Sequence, residues 1–158
     1  MPLCDGLKVV RSAIHGYGVI ATRPFAAGDL LLQGEGVVYR DEDEFDDTYC
    51  LVFDGDVLQP PVDEQIFYDL TCQSRWINHS CEPNTQVDSG WDAKLAHPIA
   101  WWIATRPIEV GEELTYDYAF TAEVAEPCGC GAKTCRGLIV DQDEIPNLTP
   151  EQQTKLRR

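Results

Sequence analysis

A chain of 158 residues suits one domain with a small annex, and at this size about 68–70% of the unfolded surface can be buried without disulfide staples. Its 27 acidic against 12 basic residues give a net charge of −15. That balance argues against direct nucleic-acid binding, which runs on dense positive charge, and suits a basic protein or peptide drawn in electrostatically.

Taken in chain order, the first ten residues lack the basic-then-apolar pattern of a secretory signal, and no apolar run approaches the roughly 18 residues of a membrane span. The spacing of apolar residues predicts strands over 7–14, 30–39, 49–53 and 99–105, each bounded by Gly, Pro or acidic turns. Residues 41–47 carry six acids in seven positions, which reads as a solvated loop or as a docking surface for a cationic peptide. Residues 65–77 are assigned a helix. Thr149-Pro150-Glu151-Gln152 has a capping residue, Pro at the first helical position and Gln at the third, so 149–158 is predicted to be a short terminal helix.

One internal echo stands out. Ala21-Thr22-Arg23-Pro24 with Gly28, Asp29 and Leu31 recurs as Ala104-Thr105-Arg106-Pro107 with Gly111, Glu112 and Leu114, at a constant offset of 83 residues. Each copy reads as a strand stopped by Pro, a Gly turn and a second strand. A mostly β domain with two similar units in related places is the economical inference.

Seven cysteines are an odd number, and Cys128, Cys130 and Cys135 crowd into a loop with Gly129, Gly131 and Gly137. Such clustering points to a metal in a reducing, intracellular compartment (cytoplasm or nucleus) rather than to disulfides. Zinc needs four thiolate or imidazole ligands, so one must come from elsewhere. Cys4, Cys50, Cys72, Cys81 and the histidines are candidates, with Cys81 the best placed because Asn78-His79-Ser80-Cys81-Glu82-Pro83-Asn84 is a polar, Pro-bounded loop.

Four motifs in order now stand out: Gly16-Tyr17-Gly18; Arg75-Trp76-Ile77 running into Asn78–Asn84; Gly111-Glu112-Glu113-Leu114-Thr115-Tyr116-Asp117-Tyr118; and the Cys128–Gly137 loop. Through them residues 14–138 resemble a SET-domain protein lysine methyltransferase with a post-SET zinc loop. The resemblance implies a mostly β, β-clip fold of small curved sheets with few short helices and a knot-like C-terminal threading. It divides the chain into a SET domain (5–125), a post-SET zinc loop (126–140) and a tail (141–158). It implies S-adenosylmethionine as methyl donor, structural zinc on Cys81, Cys128, Cys130 and Cys135, and a basic, histone-tail-like protein as substrate. His15, Gly16, Tyr17 and Gly18 would meet the cofactor through backbone groups. Asn78 and His79 would hold its amino-acid and adenine portions, with Arg75 nearby and Leu138 over the adenine. Tyr118 would stand beside the transferred methyl, Tyr116 beside it to limit methyl number, and Tyr49 along the lysine channel.

The chemistry is an in-line displacement by a neutral amine, so alignment supplies most of the acceleration, about 7–11 kcal/mol in well-oriented systems. Tyr116 is expected to favour monomethyl product by holding a water where further methyls would need room. Two alternatives compete: a catalytically weak SET-like module that binds basic peptides, and a nucleic-acid-binding zinc ribbon, which the charge disfavours.

Overall fold

The computed structural model describes residues 4–40 and 42–157. Residues 1–3 of the leading segment, Asp41 of the acidic run and Arg158 of the terminal segment lie outside the described residues. Among the described residues twelve short strands dominate, gathered into small separate sheets. β1 (Leu7–Arg11) and β2 (Tyr17–Ala21) form an antiparallel hairpin. The segment assigned to one strand over 30–39 is two, β3 (Leu30–Gly34) and β4 (Gly36–Tyr39), which belong to different sheets. The break follows from crowding: a Cβ at Gly34 would come within 2.7 Å of the Trp102 ring, and one at Gly36 within 2.7 Å of the Asp69 carbonyl. The glycines let the backbone turn from one sheet into the next against these neighbours.

β5 (Cys50–Asp54) and β4 flank β6 (Gln65–Leu70) in one three-stranded sheet. Here the assigned helix over 65–77 is overturned. Ile66, Tyr68 and Leu70 are all buried, a period of two that belongs to a strand. Only Gln73–Trp76 curls, as a single 3-10 turn. β7 (Asn78–His79) follows at once. β8 (Thr85–Asp92) and β9 (His97–Ala104) form a hairpin, and β9 is the centre of the sheet β3-β9-β8. Its residues alternate between half-buried and buried along their whole length, with Trp102 wholly enclosed.

The repeated segments prove to be partners. Phe25 N–H donates to Ile108 O at 2.9 Å and Ile108 N–H to Phe25 O at 3.0 Å, and these residues are 83 positions apart. Ala21 N–H donates to Glu112 O (3.0 Å) while Ala104 N–H donates to Asp29 O (3.0 Å). Gly111 N–H donates to Ala21 O and Gly28 N–H to Ala104 O, each at 2.8 Å. Every bond has its counterpart under a shift of 83 in both partners, so the two units face each other about a local two-fold. Gly28 and Gly111 turn with φ of 88° and 86°, a region closed to side chains without strain.

β10 (Thr115–Tyr116) then lies parallel to β7, pairing Thr115 with Asn78 and Tyr116 with His79. Asn84, 1% exposed, locks this junction: its Oδ1 accepts from Thr115 N–H at 2.8 Å and its Nδ2 donates to Glu113 O at 2.8 Å. β11 (Glu126–Pro127) and β12 (Leu138–Ile139) bracket the cysteine loop as an antiparallel pair. The predicted terminal helix is α1 (Pro150–Gln153), shorter than expected but with both hydrogen bonds of its capping box, Thr149 to Gln152. The tail folds back on the loop. Ala122, Leu138, Val140 and Leu148 form a second small core, and Arg157 N–H donates to Arg136 O at 2.8 Å. Among the described residues no helix is long and apolar enough to cross a membrane.

Candidate active site

The parallel β7–β10 ladder puts the Asn-His motif beside the Tyr-Asp-Tyr motif, and the turn between β1 and β2 is bonded to Asn78 and Glu113. Ser12 Oγ accepts from the N–H groups of Ile14 (2.9 Å) and His15 (3.4 Å), curling the chain into a tight turn that Gly16 completes at φ 48°. The same hydroxyl reaches both carboxylate oxygens of Glu113, at 2.8 and 2.9 Å. Asn78 Nδ2 points at three acceptors: His15 O (3.1 Å), Tyr17 O (2.8 Å) and Glu113 Oε1 (2.8 Å). Carbonyl and carboxylate oxygens can only accept, so the amide orientation is fixed by chemistry. His15 and Tyr17 expose their side chains and contribute these carbonyls, while Gly18 is buried where a Cβ would collide with the Glu113 carboxylate.

His79 is 4% exposed. Burial outweighs the nearby Asp117 carboxylate and holds its pKa down to about 4, so the ring is neutral near pH 7. Nδ1 accepts the Tyr118 N–H at 3.2 Å, which leaves the proton on Nε2, 3.4 Å from Cys81 Sγ. Asp117 also accepts from Arg136 Nη2 at 2.7 Å.

Seven aromatic rings gather around this ladder. Tyr116 and Tyr118 have centroids 4.8 Å apart, Tyr116 meets Trp102 edge-on at 5.8 Å, and Phe120 lies 5.6 Å from Tyr118. Trp76 stands 5.4 Å from Tyr17 and 5.2 Å from Tyr49, whose outer face carries the Arg75 guanidinium at 4.3 Å. Tyr118 Oη donates to Ile77 O at 3.0 Å. Burial, and then the neighbouring Tyr49, push its phenol up to about 12, and burial raises Tyr116 well above the usual tyrosine range. Both phenols are therefore neutral donors at physiological pH.

On the far side of His79 lies the cysteine cluster. His79, Cys81, Cys128 and Cys130 bring one ligand atom each within 4.8 Å of one another. The Cys81–Cys128 sulfur separation of 3.8 Å matches the edge of a tetrahedron with metal–sulfur bonds of about 2.3 Å. Cys135 borders the same group, its Sγ accepting from Gly137 N–H at 3.4 Å. Burial raises the Cys128 and Cys81 thiols; at Cys130 burial is outweighed by backbone N–H groups of Cys81 and Ala132, which bring it to about 7. A donor set of soft sulfurs, one already half-ionised near neutrality, fits zinc.

Of the residues singled out from sequence, Asn78, His79, Tyr116 and Tyr118 meet at the β7–β10 ladder, and Cys81, Cys128 and Cys130 gather with His79, whereas Cys135 lies outside that group of four. Arg75 sits over Tyr49 rather than against the β1–β2 turn, and Leu138, 1% exposed, is packed into the tail core. Sequence reasoning passed over Ser12, Trp76, Glu113, Asp117 and Arg136. Glu113 and Asp117 lie within a quoted motif, and their position between functional neighbours was the available signal.

Known proteins are similar to this chain in sequence and fold. The SET domain profile matches residues 16–119. The chain is 36% identical over 147 residues to histone-lysine N-methyltransferase trithorax of Drosophila virilis, covering 84% of this chain and 4% of that protein. It is likewise 36% identical over 149 residues to histone-lysine N-methyltransferase 2B of Homo sapiens, covering 85% of this chain and 5% of that protein. Among solved structures, KRYPTONITE in complex with mCHH DNA, an H3(1-15) peptide and SAH superposes with a TM-score of 0.65 at 28% identity, over 84% of this chain and 29% of that one. The chain therefore spans a small part of the relatives that it matches.

Proposed function

The chain belongs to the SET-domain family, and from that premise we propose that it transfers methyl groups from S-adenosylmethionine to lysine side chains of a basic, histone-like protein segment. The observation that carries the proposal is the parallel pairing of β7 with β10, which sets Asn78 and His79 directly beside Tyr116 and the chain leading to Tyr118. S-adenosylmethionine supplies a methyl carbon activated by its sulfonium. The backbone of His15, Gly16, Tyr17 and Gly18, with Asn78 and His79, forms its grip. Arg75 acts through Tyr49, over which its guanidinium rests, and Leu138 belongs to the tail core rather than to the grip.

Tyr49, Tyr116, Tyr118 and Trp76 line an aromatic passage that admits an amine while stripping its water. Desolvation and a neighbouring positive charge both lower the affinity of lysine for its proton. The neutral phenols of Tyr118 and Tyr116 serve to orient the amine and methyl and to limit space, and no residue need become covalent. Mainly monomethyl product is expected because the Tyr116 hydroxyl occupies the region a methylated amine would need.

Cys81, Cys128, Cys130 and Cys135 are the proposed zinc ligands. His79 stays outside the set because its Nδ1 is taken by Tyr118 and its Nε2 carries the proton, which suits an N–H···S bond to the Cys81 thiolate. Bound zinc would supply structure only, pinning 126–140 against β7.

The test is transfer of a radiolabelled methyl group from S-adenosylmethionine to core histones and to fractionated cellular protein. Label on lysine that disappears in Tyr118→Phe supports the proposal. Tight binding of S-adenosylhomocysteine with no transfer to any basic protein would instead favour a peptide-binding module.

A further inference from the structure

We infer that Glu113 is the positioning residue of the cofactor grip, fixing both the Asn78 amide and the turn from Ser12 to Tyr17 through one carboxylate. This rests on the reading that Asn78 holds the amino-acid portion of the cofactor.

Among the described residues the Glu113 carboxylate is hydrogen-bonded to Ser12 and Asn78 and not to Tyr118 or the cysteine loop. Its carboxylate receives three donor contacts, two from Ser12 Oγ and one from Asn78 Nδ2. Those donors come from residues 101 and 35 positions away. Each partner then acts on the grip. With its proton directed at Glu113, the Ser12 hydroxyl presents lone pairs to the Ile14 and His15 N–H groups and so shapes the turn. With Nδ2 directed at Glu113 and at the His15 and Tyr17 carbonyls, Asn78 turns Oδ1 the other way. That atom can only accept, as an ammonium requires. Without the carboxylate, the amide keeps its two backbone acceptors but loses its charged one, and hydrogen bonds to charged groups are the stronger kind.

Gly18 bears on the same point. Its φ is ordinary, yet it is buried, and a Cβ there would collide with Glu113 Oε1. The second glycine of the Gly-Tyr-Gly motif is thus explained by close approach of this carboxylate rather than by backbone conformation. Glutamine at 113 is the informative substitution. It keeps the shape but offers one acceptor oxygen where two are used, and it aims an N–H at Ser12 or Asn78.

The experiment measures binding by calorimetry of two ligands that share adenine, ribose and sulfur. S-adenosylhomocysteine carries the amino-acid portion; 5′-methylthioadenosine lacks it. Glu113→Gln and Glu113→Ala are expected to weaken S-adenosylhomocysteine by about ten-fold or more while changing methylthioadenosine by less than about two-fold. Once Ser12 and Asn78 are both replaced by Ala, Glu113→Gln should add less than about two-fold, because both arms through which the carboxylate acts are then gone. Additive losses would mean that the carboxylate acts directly on the ligand charge, and would overturn the inference. Equal losses for both ligands in the Glu113 variants, with Asn78→Ala still selective, would also overturn it and leave the reading of Asn78 intact. An unselective Asn78→Ala would remove that reading, and the inference with it. Should Glu113→Ala fold poorly, Glu113→Gln and Gly18→Ala carry the comparison, the latter expected to show the same ligand selectivity.

Discussion

The backbone N–H of Tyr118 donates to Nδ1 of His79 at 3.2 Å. The phenol proposed to face the methyl group is therefore held, at its own amide, by a ring whose other nitrogen lies against Cys81. Order in the cysteine loop and placement of Tyr118 are linked through a single imidazole.

Metal removal should reach the channel for that reason. Cys130→Ser, or dialysis against a strong chelator, is expected to abolish a stoichiometry of one zinc per chain, raise amide exchange across 126–140, and also raise it at Tyr118. Mass spectrometry for zinc and hydrogen exchange check this. Exchange confined to the loop would break the proposed link.

Tyr118→Phe keeps the ring and removes the hydroxyl that bonds Ile77 O. Turnover is expected to fall by about a hundred-fold, the order seen when one oriented polar group at a reacting centre is lost. Affinity for S-adenosylhomocysteine should stay within about two-fold, since the phenol is not among the groups that grip it. Single-turnover kinetics beside calorimetry separate the two effects.

Tyr116→Phe addresses product number. Its ring packs between Trp102 and Tyr118 and is unaffected by loss of the oxygen, so the fold should be kept. The di- and trimethyl fractions are expected to rise at the expense of monomethyl, as read by mass spectrometry of the peptide product. An unchanged distribution would remove Tyr116 from that role.

The pH dependence follows from Tyr118 at about 12 against an ordinary value of 10. Its folded form keeps the proton longer than the unfolded chain, so this stabilisation is complete below pH 10 and is lost as pH rises through 12. The span of two units corresponds to a stabilisation on the order of 2–3 kcal/mol, reduced because the ring is only partly enclosed. Below pH 10 the phenol does not ionise. The rise of kcat/KM with pH should therefore track the substrate amine and be unchanged in residual-activity measurements on Tyr118→Phe.

The local two-fold predicts matched costs. Gly28 and Gly111 have nearly equal positive φ, and an added Cβ at either meets nothing within 4 Å. Each change to Ala should destabilise the fold by about 1–2 kcal/mol from backbone strain alone, with similar midpoint shifts in urea. A clear difference between the two would show that the equivalence is only geometric.

What could be read from sequence divides by range. The repeat was legible because its identities sit in short windows at a constant offset, and its meaning as a mutual pairing needed only the Phe25–Ile108 bonds to be seen. The capping box at Thr149 was legible because all of its partners lie within four residues. The segment 65–77 misled because Ile66, Phe67, Tyr68 and Leu70 form a dense apolar run that a helix and a strand share, and only the burial of alternate residues decides between them. Glu113 was not singled out beyond its motif because Asn78 is brought to it by the parallel β7–β10 ladder and Ser12 by the hairpin that meets it at the Ile20–Glu113 bridge, contacts that no local pattern encodes. The break at Glu35 was missed for the same reason, since Trp102 and Asp69 impose it from distant strands.

That ladder also sets an order of events during synthesis. Thr115 cannot lie beside Asn78 until the segment between them has been made, and long-range parallel pairing is slow to form. A nascent or truncated chain ending before this point owns every atom of the turn, the Asn-His pair and the aromatic wall at Trp76, yet lacks the strand and the Glu113 carboxylate that hold them together. In this way the proposed donor grip waits on the β10 segment.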